Sequence, residues 1–250
     1  MQKLLFSALA IIQFTTLFAQ FQVRDSSLFD PHISLSYAYQ IPGGDMADRF
    51  GNNHNIGFGF HIKSKTNWYY GIQATYMFGG KVMEPGLMQN LKTEDGYILD
   101  NQGQIAKVLV MERGFTTTAD FGKLFNVMGP NPNSGLLTVF GVGILQHKIR
   151  IEHQQNEITQ LEDDYLKGYD RLTNGLALRQ FVGYFHMSSY KLWNFFIGVE
   201  AWQGFTQGRR EFNFDTRTTD TAKRMDTLLG LRAGWTLHLY VRAPDKFYYN

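Results

Sequence analysis

Chemistry in this chain has to come from histidines, carboxylates and hydroxyls, because its 250 residues include seven His and no Cys. The missing thiol removes disulfides, thiol catalysis and a lipid anchor on an N-terminal cysteine. No HxxxH, HExxH or carboxylate cluster at ligand spacing occurs, so the sequence supports no metal site and implies no cofactor. His61, His147, His153 and His186 lie in or beside stretches of alternating polarity, and no Ser-His-acid set assembles from them. The expectation is a protein that is not an enzyme. Glu162-Asp163-Asp164 reads as a solvated acidic loop rather than a cation site. Gly141-x-Gly143 has no helix after it, which rules out a phosphate cradle. A formal net charge of +2 leaves no footprint for nucleic acid.

Four other charges have a different use. Asp120, Arg179, Glu200 and Arg232 each fall on the polar phase of an alternating stretch, at similar distances from its end. If those stretches are neighbouring strands with a shared interior, the four meet at mid-height as an ion-pair network. Unpaired, each would be costly there.

The elements that must position them are strands. Residues 228–240 read LLGLRAGWTLHLY, with Leu229, Leu231, Ala233, Trp235, Leu237 and Leu239 on one face and Gly230, Arg232, Gly234, Thr236 and His238 on the other. That period-two pattern is longer than a soluble half-buried strand needs, and it suits a strand tilted across a bilayer. Seven more strands are predicted at about 32–41, 55–63, 68–79, 114–125, 136–152, 175–187 and 193–213. The fifth and sixth of the eight, 136–152 and 175–187, are too apolar on both faces for a firm inward set. A segment at 107–111 extends the fourth. Turn residues make the connections alternate between long and short, which puts both chain ends on the short-turn side. Residues 154–174 form a polar loop whose Thr159-x-x-Glu162 has capping-box spacing.

An even number of strands in which one face needs lipid must close on itself, because hydrocarbon cannot satisfy a sheet edge. The predicted fold is therefore all-β: an eight-stranded antiparallel up-and-down transmembrane β-barrel with long extracellular loops and short periplasmic turns. Composition agrees, with 15% aromatic and only 18% charged residues. Trp68, Tyr69, Tyr70, Trp193, Phe195 and Phe196 follow two short turns, where an interfacial aromatic girdle belongs. Residues 1–19 have the basic start, short apolar run and Ala-Gln junction of a secretory signal peptide. Residues 20–31 are then a periplasmic segment, 32–241 the barrel and 242–250 a periplasmic tail. Pro244 ends the ladder, and Phe247, Tyr248 and Tyr249 need cover from water, either by folding back on the barrel base or the membrane interface or by docking on a partner.

Arg232-x-Gly234-x-x-Leu237-x-Leu239 resembles the terminal-strand sorting signal of outer-membrane barrels. Together with the topology from Pro31 to Tyr240, it makes the chain similar to the small barrels typified by OmpA, OmpX and OmpW. That resemblance implies a place in the cell outer membrane, contact with its lipid, and delivery by the barrel assembly machinery. Family members commonly end on the aromatic of the last strand, whereas this chain continues to Asn250. The Pro-then-aromatic tail and the Ala-Gln junction resemble small barrels of Bacteroidota, some of which, such as PorG, accompany the type IX secretion apparatus. Two functions are implied: a structural or accessory subunit of an envelope complex, or an OmpW-like conduit for small or hydrophobic compounds. Eight strands leave an interior that side chains can fill, which weighs against a diffusion pore.

Overall fold

The computed structural model describes residues 26–153, 157–188 and 192–239. Eight strands make up the barrel: β1 (Asp30–Gly44), β2 (Asn53–Lys63), β3 (Trp68–Gly79), β4 (Val108–Phe125), β5 (Gly135–His153), β6 (Thr173–His186), β7 (Phe195–Gly208) and β8 (Lys223–His238). Each pairs antiparallel with the next, and β8 returns to β1 with His238 opposite His32, closing the ring. Among the described residues no helix is long and apolar enough to cross a membrane, a statement that does not bear on strands.

The alternation in the sequence is the alternation in space. On β1, Leu35, Tyr37, Tyr39 and Ile41 are exposed while Ser34, Ser36, Ala38 and Gln40 are buried; on β8, Leu229 and Leu231 are exposed while Gly230 and Arg232 are buried. Pleating sends successive side chains to opposite faces, so one chain writes an apolar wall and a polar interior together. A continuous exterior of Leu, Ile, Phe and Tyr is the surface that hydrocarbon solvates and water does not.

β5 and β6 looked apolar on both faces because their inner residues near the short-turn end are apolar too. Leu137, Val139, Phe181 and Phe185 point inward and pack with Tyr69, Leu124, Met187 and Phe196 into a cluster that fills the barrel base. Tyr69 and Phe196 therefore leave the expected girdle, to which Trp68, Tyr70, Trp193 and Phe195 contribute exposed rings. Strand phase decides this: neighbouring aromatics in a strand cannot share a face. β7 stops at Gly208 instead of continuing to 213, and the fourth strand starts at Val108 as one unbroken element. β1 begins at Asp30, inside the segment expected to precede the barrel.

The part of the 154–174 loop that the structure describes, residues 157–172, is not the solvated segment its polarity suggests. Ile158, Leu161 and Tyr169 are buried in a cluster with Met46, Phe50, Met77, Leu145, Ile149 and Trp202 that seals the opposite end. Thr159–Leu161 is a 3-10 turn in which Thr159 makes no cap, so the capping-box spacing is not used. A small hairpin (Ile98–Leu99 with Ile105–Ala106) joins this lid, which is held by Arg171 bonding to Asp215 at 2.6 Å. At the base, Ser26 to Leu28 cross beneath the barrel: Leu28 N donates to Asn133 Oδ1 at 2.8 Å and Lys63 Nζ to the Leu28 carbonyl at 2.8 Å. Residues 1–19, expected to be a signal peptide, and the tail with Pro244, Phe247, Tyr248 and Tyr249 lie outside the described residues.

Candidate functional site: the charged lumen

β4, β6, β7 and β8 each contribute one charge to a layer at mid-height, where the structure brings Asp120, Arg179, Glu200 and Arg232 together. Arg232 donates from Nε to Glu200 Oε2 at 2.6 Å and from Nη2 to Glu200 Oε1 at 2.9 Å, a two-pronged match of planar groups. Its remaining hydrogens reach Ser36 Oγ at 2.8 Å and Asn55 Oδ1 at 2.7 Å. Arg179 bridges the two acids, with Nη1 2.9 Å from Asp120 Oδ2 and Nε 3.5 Å from Glu200 Oε2. Gln40 donates to Glu200 at 2.8 Å, and His61 Nε2 lies 3.1 Å from Asp120 Oδ2. Two guanidinium groups face two carboxylates, so the layer is neutral without counting His61. The rings of Phe181 and Trp202 flank Arg179 at 5.7 and 5.8 Å and continue the filling below and above it.

Glycine makes room for these long side chains. A Cβ on Gly141 would sit 2.4 Å from Asp120 Oδ1, and one on Gly57 would sit 2.6 Å from Ser36 Oγ and 2.8 Å from Arg232 Nη1. Small residues on the inner face are thus spacers for the charges opposite.

Histidines dominate what the sequence did not reveal. His147 Nε2 lies 2.9 Å from Asp226 Oδ2, and Thr206 Oγ1 donates to that same oxygen at 2.5 Å. This is no nucleophile relay, because the hydroxyl contacts the acid rather than the imidazole, and all three side chains are buried. At the base, Asp30, His32 and His238 converge, although His238 and Asp30 are separated by 208 positions in sequence. No spacing rule finds such a set, since only the pairing of first and last strands creates it. Around the opposite rim, outside the wall, hydrogen bonds from Arg210 to Asp170 hold its guanidinium proton above the usual range. Lys167 bonding to Asp164 pulls that carboxyl below its usual range.

Of the terminal-strand residues, Arg232 is fully buried in the ion-pair layer and Leu239 is exposed outward. Leu237 is half-buried. Gly234 lies under the Phe196 ring, where an added Cβ would come within 2.4 Å of Phe196 Cζ. Pro244, Phe247, Tyr248 and Tyr249, expected to be covered by the barrel or a partner, lie outside the described residues.

No protein-family model matches the chain, and no curated protein matches it. Among solved structures it is similar to Neisserial surface protein A, at 7% identity over 83% of this chain and 96% of that one, with a TM-score of 0.43. It is also similar to Ail, the attachment invasion locus protein of Yersinia pestis, at 12% identity over 84% of this chain and 99% of that one, TM-score 0.40. The N-terminal β-barrel domain of Pseudomonas aeruginosa OprF gives 10% identity over 84% of this chain and 100% of that one, TM-score 0.37. The assignment of fold stands on the closed ring of strands itself.

Proposed function

We propose that this chain is an outer-membrane β-barrel that serves as a non-enzymatic structural or accessory subunit of an envelope complex, and not as a pore. One observation carries the reading: buried side chains occupy the lumen at its base, its middle and its top. The aromatic cluster occupies the base, the layer of Asp120, Arg179, Glu200 and Arg232 the middle, and the Phe50, Met77, Leu145 and Trp202 cluster the top. A diffusion path through it would have to displace paired buried charges. The apolar outer wall supports the membrane location, and the orientation follows the resemblance, with short turns periplasmic and the loop lid outside. With the interior occupied, what remains for function is surface: the loop lid, the base and the tail. The competing conduit reading would need a route along the wall. An apolar groove of about 550 Å³ lies on that wall, lined by Leu35, Ile56, Ile197 and Trp235.

Two measurements test the proposal. Purified barrel in planar bilayers should give no resolved conductance steps, and steady channels would overturn it. Affinity capture of the full-length chain from its native envelope should return a stoichiometric protein, and deletion of Asp245 to Asn250 should abolish that capture while leaving barrel insertion intact. A truncated chain that does not insert would assign the tail to assembly and not to docking.

A further inference from the structure

We propose that Asp30, His32 and His238 form a binding site for one divalent late first-row cation, with Zn²⁺ the best fit, which clips the first strand of the barrel to the last. The three side chains each bring one ligand atom, all within 4.8 Å of one another. His238 Nδ1 lies 2.7 Å and His32 Nδ1 3.1 Å from the same oxygen, Asp30 Oδ2. Zinc bonds of about 2.0–2.2 Å in a tetrahedron place neighbouring ligand atoms roughly 3.3 Å apart, so small outward shifts open the required gap. Two imidazoles and one carboxylate leave a fourth position for water.

Independent of that spacing, the carboxylate is unfinished. Asp30 is fully buried, yet Oδ1 has no hydrogen-bond partner among the described residues. A buried carboxylate oxygen without a donor is uncommon and costly unless something bonds it. Lys63, opposite Asp30 on β2, is not that partner: its Nζ is taken by Ser27 Oγ, the Leu28 carbonyl and Asn67 Oδ1.

The outer nitrogens are held as metal-bound histidines require. His32 Nε2 lies 3.1 Å from the Tyr69 hydroxyl and His238 Nε2 3.2 Å from Thr236 Oγ1. An Nε2–H donated to each hydroxyl turns both Nδ1 lone pairs toward Asp30, a repulsive arrangement that a cation relieves. Without metal, protons shared with the Asp30 carboxylate and its carbonyl, 3.3 Å from His32 Nδ1, take that place, so uptake releases protons. Two nitrogen donors out of three select against Mg²⁺ and Ca²⁺. Location gives the site its effect: His32 and His238 are direct partners in the β1–β8 ladder, so the ion bridges the closing seam at its base.

The test uses untagged, full-length folded barrel in detergent, stripped with chelator and titrated with ZnCl₂ and CoCl₂. One equivalent should bind, Co²⁺ should give the visible bands of a four-coordinate nitrogen–oxygen site, and Zn²⁺ should displace it while Mg²⁺ and Ca²⁺ do not. At a free Zn²⁺ concentration 100 times Kd, the folded-to-unfolded ratio should rise roughly 100-fold. His32→Gln and His238→Gln should each abolish stoichiometric uptake, Tyr69→Phe should weaken it roughly 10–100-fold, and His186→Gln should not change it. Wild-type barrel that takes up less than one equivalent overturns the proposal whether or not the variants fold. Unchanged uptake by either ligand variant overturns it as well.

Discussion

Glu200 is the side chain on which the lumen depends most. Its carboxylate accepts from Arg232 Nε at 2.6 Å, Arg232 Nη2 at 2.9 Å, Gln40 at 2.8 Å and, more distantly, Arg179 Nε at 3.5 Å. Truncation to alanine leaves Arg179 with Asp120, but Arg232, which is 0% exposed, keeps only the neutral Ser36 and Asn55. Two charge-assisted bonds at about 1.5–3 kcal/mol each come to roughly 3–6 kcal/mol. The usual cost of breaking a buried pair from one side, about 3–5 kcal/mol, is consistent with that range. Urea unfolding of the folded barrel in detergent, followed by tryptophan fluorescence, reads the difference directly. Glu162→Ala, on the loop, should stay within roughly ±0.5 kcal/mol. Replacing both partners, Glu200→Leu with Arg232→Met, should recover more than half of the loss, since the stranded charge is gone. Equal losses in Glu200→Ala and Glu162→Ala, or a double variant no better than Glu200→Ala, would refute the reasoning.

Leu231→Arg and Ile72→Arg, both at outward positions, should each cost roughly 2–4 kcal/mol near the bilayer midplane, measured by unfolding in lipid vesicles. A spin label that finds Leu231 in water would contradict its outward assignment. Gly234→Ala should destabilise purified, refolded barrel by about 1–3 kcal/mol, because its Cβ would press on the Phe196 ring. If the defect appears only in cells, the glycine serves recognition and not packing. Thr75→Val should cost about 1–3 kcal/mol by leaving Asn55 and Thr116 without their shared hydroxyl, and unchanged thermal unfolding would count against an ordered polar lumen.

The wall was legible because its signal is local: Leu229, Leu231, Ala233 and Trp235 alternate with Gly230, Arg232 and Gly234 over one uninterrupted stretch. Asp120, Arg179, Glu200 and Arg232 could be placed at a common height because strand length converts residue counts into distance. The base cluster was not legible, because inward Leu137 and Phe181 look the same as lipid-facing residues when only polarity is counted. The lid was hidden for the opposite reason. Ile158, Leu161 and Tyr169 are sparse apolar residues in a polar loop, and only tertiary contact buries them. His32 and His238 required knowing that the ends of the chain meet, which topology implies but no motif marks.

The reach of Arg232 has a consequence for how the ring comes to exist. Its bond to Ser36 spans 196 positions of sequence and its bond to Asn55 spans 177. With Glu200 on the seventh strand and Ser36 on the first, this guanidinium has its full set of acceptors only when the eighth strand lies between the two. Should that strand arrive one residue out of step, the same side chain would swing to the lipid side, at a cost of roughly 2–4 kcal/mol. The penalty for misalignment is thereby concentrated in the final closing event. The charge layer therefore makes a correctly joined barrel more stable than a mismatched one, in which these bonds are not all made.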